Sequence, residues 1–339
     1  MRRGWNRRKG NDMSNIKKGV WLHNIPSLGG KKGIERFVKR YADAGFELLI
    51  PCVKNIPGLL DYHSKVGFVR PESREYDPLE HMASVARQAG IKIHAWYCNT
   101  PEGKEGRLLK EHPECVALTP DGKEAKCHSG FFTCLARPEV RDYEYKIMAE
   151  VVDNYDVAGV HLDYIRIGEN ACYCEICRAA YKRITRRDFD PSSPEAPPRY
   201  IPAWRKWRCD NVAKLVARIA QKCQKAGKEL SAAVFTDYPI STVSQGQDFV
   251  TWCAQGYLDL VIPMNYYPDP DVMMAWTRSH AANLTGRAEL WEGLGHFLIR
   301  RTSKLIEYVQ LVKDFGVKGV VIFEHHHITG GDLKALSRI

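Results

Sequence analysis

The sequence predicts an α/β fold, a single-domain (β/α)8 barrel, and three observations carry that expectation. Eight β-rich apolar runs alternate with helix-period segments along 339 residues. A glycine stands between helix pattern and strand at Gly45, Gly90, Gly227, Gly256 and Gly316, which suits a helix C-cap. The fourth run, Gly159-Val160-His161-Leu162-Asp163, ends on a carboxylate, where a barrel places its chemistry.

The eight strand candidates are Gly19–His23, Phe46–Cys52, Ile91–Cys98, Val157–Asp163, Glu229–Phe235, Leu258–Met264, Ala288–Leu294 and Val317–Phe323. Helix-period segments lie between them at Gly33–Ala44, Pro78–Ala89, Pro138–Tyr155, Trp204–Ala226, Ser244–Gln255, Asp271–Leu284 and Ser303–Phe315, with a short eighth starting near Gly331. No linker separates two halves, so residues 18–339 are expected to form one barrel. The connections after strands two, three and four are long, as functional loops are. The longest, residues 164–203, follows strand four.

Composition bounds the function. Apolar residues make up 44% and charged residues 27%, the values of a soluble globular protein. Half of the net charge of +10 lies in the first ten residues, as Arg2, Arg3, Arg7, Arg8 and Lys9 with no acid among them. Residues 1–17 are expected to be a disordered basic tail. No nucleic-acid-binding motif accompanies it, so no nucleic-acid partner is expected. No apolar run follows it as in a signal peptide, and no segment is long enough to span a membrane. The chain is therefore expected to be soluble and cytoplasmic, with no membrane partner. Eleven cysteines, an odd number, fit reduced thiols plus a metal site better than secreted disulfides.

Strand alternation sets the candidate catalytic residues. Val160 and Leu162 suit the helix layer, which leaves His161 and Asp163 pointing inward, with Asp163 at the mouth. Other acids close other strands: Asp237, Glu292, Glu324, and the pair Asp269 and Asp271. Glycoside hydrolysis needs two carboxyl groups facing one bond. Glu292 is the expected partner of Asp163, since strand seven lies across the mouth from strand four; Asp237 and Glu324 are the alternatives. Aromatic rings that could stack on sugar faces gather at the strand ends, among them Trp21, Trp96, Tyr164, Tyr266 and Trp291. His23, Asn99, His161, Arg166, Asn265 and His296 supply polar partners for hydroxyls. A carbohydrate substrate follows as the expected ligand. A barrel that binds glycans without cleaving them is the alternative. A metal-dependent hydrolase is the third reading, suggested by His325-His326-His327, but neighbours on an extended segment face opposite ways.

Several ordered motifs carry a family resemblance. Asp77-Pro78-Leu79 leads to Gly90-Ile91-Lys92-Ile93-His94-Ala95-Trp96. His112-Pro113-Glu114 precedes Pro120-Asp121-Gly122. Arg137-Pro138-Glu139-Val140-Arg141-Asp142-Tyr143 leads to Gly159–Arg166, followed by Trp207-Arg208-Cys209-Asp210, Gly246-Gln247-Asp248 and Pro263-Met264-Asn265-Tyr266. From about Lys18 to Phe323 the chain resembles the glycosyl hydrolase-like ten family. The resemblance implies a TIM barrel acting on carbohydrate, with bacterial cell-wall or exopolysaccharide glycans among the substrates of members.

A second resemblance concerns Cys172-Tyr173-Cys174-Glu175-Ile176-Cys177, whose spacing is similar to the zinc site of family forty-two β-galactosidases. Cys134 holds the place of the upstream ligand there, with Cys127 in reserve. The resemblance implies one structural Zn2+ on Cys134, Cys172, Cys174 and Cys177, closed to water. Strand four of those enzymes ends Asp-Asn-Glu with Glu as acid/base. Here Tyr164 and Ile165 follow Asp163, so if the chain is a catalyst either Asp163 itself must act or the acid comes from another loop.

Overall fold

A computed structural model describes residues 15–168, 171–190 and 201–339. Residues 1–14 of the expected tail, Glu169 and Asn170, and residues 191–200 of the long loop lie outside the described residues. Eight parallel strands close into a barrel: β1 (Lys17–Leu22), β2 (Leu48–Lys54), β3 (Lys92–Cys98), β4 (Gly159–Asp163), β5 (Glu229–Val234), β6 (Leu260–Pro263), β7 (Glu289–Gly295) and β8 (Gly319–Phe323). Each pairs with the next in order, and β8 pairs back to β1. The outer layer comprises α1 (Gly30–Asp43), α2 (Pro78–Gln88), α3 (Pro138–Asn154), α4 (Glu175–Thr185), α5 (Pro202–Lys225), α6 (Phe249–Ala254), α7 (Pro270–Asn283), α8 (Thr302–Phe315) and α9 (Gly330–Leu336).

Alternation along the strands splits the core in two. Val20, Leu22, Val160, Leu162, Val234 and Ile322 face the helices. Trp21, Ile50, Trp96, Ala233, Ile262 and Val321 fill the interior. Small residues make room for these rings. A Cβ on Gly293 would lie 2.7 Å from the Pro263 carbonyl and 3.1 Å from Trp21, and one on Gly295 3.1 Å from Tyr266.

Two departures from expectation have local causes. The segment expected as one helix over Ser244–Gln255 is two, Ile240–Ser244 and α6. Gly246 between them turns left-handed at φ 63°, and Asp248 caps α6 by accepting from Thr251 N. The helix α4 lies within the stretch expected as a long loop. It follows Cys174 directly, and its buried residues are Cys177, Ala180 and Tyr181.

The loop after β3 is anchored by an ion cluster. Lys54 is fully buried, with Nζ 2.9 Å from Glu144 and 3.2 Å from Glu102. It also donates to the carbonyls of Cys98, Asn99 and Pro101. Burial pulls the Lys54 pKa down, but the two carboxylates outweigh it and hold the amine charged; burial pushes Glu144 up to about 7. Removing one member of a buried ion network leaves uncompensated charge. Lys54→Met is therefore expected to destabilise the fold by about 3–5 kcal/mol, read as a shift in the urea midpoint. An unchanged midpoint would contradict this anchoring role.

Candidate active site

The mouth of the barrel holds a cleft of about 420 Å³ lined by Trp21, His23, Ile56, Trp96, His128, Asp163, Tyr164, Arg166, Ala233, Met264, Tyr266 and Phe323. Seven of these are residues the sequence marks as candidates: Trp21, His23, Trp96, Asp163, Tyr164, Arg166 and Tyr266. Asp163 ends β4 and points into the cleft. Its Oδ1 accepts from Tyr164 N at 2.6 Å, a contact made as Tyr164 turns to φ 48°. The β3–β4 connection fixes this turn, since Asn99 N donates to Asp163 O and Thr100 Oγ1 to Tyr164 O. Burial raises the Asp163 pKa, and the charge of Arg166 and the Tyr164 amide only partly offset it.

Glu324, just past β8, is linked to Asp163 through His23. Its Oε2 lies 3.0 Å from His23 Nδ1 and its Oε1 3.1 Å from His326 Nδ1. Burial would push this carboxyl up, but the two imidazoles outweigh it and hold Glu324 down at about 2. His23 is packed against Trp96 at 4.7 Å and Phe323 at 5.3 Å, and its charge acts on Asp163 as well. The Tyr266 hydroxyl, its pKa raised by burial, also feels both Asp163 and Glu324. Two carboxyl groups near the mouth thus have opposite tendencies: Asp163, which lines the cleft, toward the protonated form, and Glu324, which does not line it but bonds His23, which does, toward the ionised form.

Six of the residues expected to bind substrate or act lie elsewhere. Glu292 is the main correction. On β7 the interior positions are Trp291, Gly293 and Gly295, so Glu292 faces the helix layer. There it is fully buried, 2.8 Å from His280 Nδ1 on α7 and 3.1 Å from Asn265 Nδ2. Asn265 faces the same layer, donating also to Met273 O. Asn99 is turned to α3, where it donates to Glu144, and His296 to α9, where it meets Asp332 at 3.2 Å. Trp291 sits at the opposite end of the barrel, beside Lys17 and Glu289. His161 points inward but lies beneath the cleft. Its Nε2 accepts from Trp21 Nε1 at 3.0 Å, so its Nδ1–H donates to Ser231, and burial holds the ring neutral. Asp237 continues the inward series of Ser231, Ala233 and Phe235 at the rim; its Oδ1 is buried without a partner among the described residues, and burial raises its pKa.

The sequence reading missed His128, Ile56, Met264 and Phe323. His128 comes from the hairpin Lys126–Cys127 and Gly130–Phe132, and its Nε2 lies 3.1 Å from the Tyr164 hydroxyl. Its one signal was the neighbouring Ser129-Gly130 turn chemistry. The histidine run does not gather into a metal cluster. His325 packs on Phe37, His326 bonds Glu324 and His327 lies by Phe297.

Beside the cleft, Cys134, Cys172, Cys174 and Cys177 are all buried, with their sulfur atoms within 4.8 Å of one another. Cys134 Sγ lies 3.5 Å from Cys177 and 3.7 Å from Cys174, and Cys174 lies 3.7 Å from Cys177. A disulfide needs about 2.05 Å, whereas thiolates about 2.3 Å from one tetrahedral ion stand roughly 3.8 Å apart. The spacing fits a shared metal ion. Leu118 N and Cys174 N both point at Cys172 Sγ, as amides do around metal-bound thiolates. Cys134 belongs to the loop after β3 and the other three to the loop after β4, so an ion here would join the two loops that frame Asp163. Cys127, the reserve ligand, is not in the group. Among the described residues this is the one such gathering of three or more His, Cys, Asp or Glu ligands.

Residues 17–285 match the family described as "Glycosyl hydrolase-like 10". The chain belongs to that family. "Glycosyl hydrolase DigH" of Escherichia coli K12 is 25% identical over 273 residues, covering 69% of this chain and 57% of DigH. "Glycosyl hydrolase YngK" of Bacillus subtilis is 27% identical over 161 residues, 44% of this chain and 28% of YngK. The chain thus spans little more than half the length of DigH and under a third of YngK. Among solved structures, the PgaB (BpsB) glycoside hydrolase domain from Bordetella bronchiseptica superposes with a TM-score of 0.77 at 12% identity, over 95% of this chain and 98% of that domain. A β-galactosidase from Bacillus circulans sp. alkalophilus gives 0.67 at 13% identity, over 96% and 55%. These likenesses establish the TIM-barrel fold. Among the described residues no helix is long and apolar enough to cross a membrane.

Proposed function

We propose that the chain hydrolyses a glycosidic bond in an oligo- or polysaccharide, with Asp163 as general acid and Glu324 as nucleophile or base. The observation that carries this reading is the pair of carboxyl groups at the ends of β4 and β8, whose surroundings push their pKa values apart. An acid must hold a proton to give to the leaving oxygen, and its partner must be charged to attack the anomeric carbon or activate water. Burial raises the Asp163 pKa and so favours its protonated form. His23 and His326 keep Glu324 ionised and fix its orientation, while each of its oxygens retains a lone pair for the reaction. Tyr164 and Tyr266, both partly exposed at the cleft, offer aromatic surface to the apolar faces of a sugar ring, over a floor formed by the buried Trp21 and Trp96. Four-thiolate binding suits Zn2+, and the closed donor set makes that ion a structural pin for the loops beside Asp163.

The test is hydrolysis of a panel of cell-wall and exopolysaccharide glycans and aryl glycosides by the purified chain, read as new reducing ends. The pH profile adds a sharper check. Activity needs Asp163 protonated and Glu324 charged. The acid limb is therefore expected at about 2, and kcat/KM should fall as pH rises through the raised pKa of Asp163. A rate that stays flat or climbs from acid into alkaline pH would contradict these roles.

A further inference from the structure

We propose that the glycan bound in this cleft carries a carboxylate, and that Arg166 is the residue that reads it. The inference takes the cleft to be the glycan site proposed above. Arg166 lines the cleft, with its guanidinium carbon over the ring of Tyr164 at 4.1 Å and over that of Phe235 at 4.7 Å. Ring contact of this kind engages the face of a guanidinium and leaves its N–H edges available. Among the described residues none of those edges is used. The Arg166 side chain makes no hydrogen bond to them, none of their carboxylates comes within 4.0 Å of it, and its Nη1 is buried without a partner. Other sheltered arginines each have one: Arg70 is held by Asp61 at 2.7 Å, Arg137 by Glu175 at 2.9 Å, Arg208 by the carbonyls of Val243 and Ala171.

A guanidinium nitrogen held from water without a partner is costly even on a half-buried side chain, and the surroundings of Arg166 show that the position is set rather than slack. The backbone on either side is tied down, Ile167 N to Gln245 O at 2.8 Å and Gln247 Nε2 to Ile165 O at 3.5 Å. Asp163 is the obvious internal partner, yet the two do not pair. The free fork of N–H groups matches the two oxygens of a carboxylate. Among the described residues no carboxylate other than Asp163 lines the cleft that Arg166 shares with Tyr164 and His128. A sugar carboxylate could be a lactyl ether substituent or the oxidised C6 of a uronic acid.

The experiment is calorimetric binding to the Asp163→Asn protein, which holds glycans uncleaved. The probes are peptide-stripped peptidoglycan strands, which carry lactyl carboxylates, and oligogalacturonate, which carries ring carboxylates. Each is compared with its carboxyl-reduced counterpart. One acidic probe is expected to bind about 10- to 100-fold more tightly than its reduced form, the range of a charge-assisted pair; which one identifies the source of the carboxylate. Adding Arg166→Met should erase that difference, the acidic form falling to about the affinity of the reduced form. Equal binding of acidic and reduced forms, binding of neither, or a Met variant that weakens both alike would overturn the proposal. Should the Met variant fail to fold, the acidic-against-reduced comparison with Arg166 in place decides. A carboxylate preference with no hydrolysis by the unmodified chain would sink the hydrolase reading and leave this one standing.

Discussion

Asp163→Asn and Glu324→Gln are each expected to lower turnover by at least about 100-fold, the lower end for a residue in acid–base catalysis. The amide introduced by Asp163→Asn could still accept from Tyr164 N, so the turn after β4 should survive, but it has no proton to give a leaving oxygen. The amide introduced by Glu324→Gln could still accept from one imidazole, but it carries no charge with which to attack or to activate water. The two residues act as a unit, so the double variant should be little worse than either single one. Near-normal turnover by either single variant on a validated substrate would show that the pair is not the catalytic one. The same measurement on Glu292→Gln is a control of a different kind. Glu292 is paired with His280 and Asn265 in the helix layer, so its loss should show in thermal stability before it shows in chemistry.

Cys174→Ser is expected to have the second large effect. Purified protein should contain about one zinc per chain, and the variant should lose it, since hydroxyl is a far poorer ligand than thiolate. The cluster joins the loops after β3 and β4, and the adjoining backbone contacts, Cys134 N to Cys115 O and Tyr173 N to Leu118 O, depend on their being held together. Metal binding that exists only in the folded state adds directly to stability. The melting temperature should therefore fall, and turnover with it, because Tyr164 and Arg166 lie at the start of the same loop. Elemental analysis and a thermal melt read both. Metal-free native protein whose eleven cysteines all react with a thiol reagent would refute the site.

How much of this was legible in the sequence depended on how far each side chain announces its own face. Asp163 could be placed because Val160 and Leu162 mark the helix side of β4 and leave the alternate positions pointing inward. Strand β7 carries no such mark. Its interior positions above Trp291 are Gly293 and Gly295, and a glycine has no side chain to show which way it faces, so the sequence puts Glu292 on the wrong side. Glu324 stands only as an alternative there because the chain leaves the strand after Phe323, and alternation says nothing beyond a strand's end. The pairing that favours it, with His23 from the end of β1 and His326 from the loop after β8, is a contact between distant segments that spacing does not encode. Lys54 escapes notice for the opposite reason. A lysine in an apolar run reads as a solvent-facing exception, and its partners Glu102 and Glu144 lie far along the chain. The cysteine cluster was legible because three ligands fall close together between Cys172 and Cys177, and the fold brings Cys134 rather than Cys127 to complete it.

The central claim, that the β4 and β8 carboxyl groups flank the bond to be cleaved, is tested most directly by a crystal structure of Asp163→Asn with an oligosaccharide from the substrate panel. The account predicts a glycosidic oxygen within hydrogen-bond distance of the substituted side chain at the end of β4. It also predicts the Glu324 carboxylate facing the anomeric carbon, directly or through one water, with the ring resting on Tyr164 or Tyr266. A bond flanked instead by Asp237, or a glycan bound away from Glu324, would contradict it.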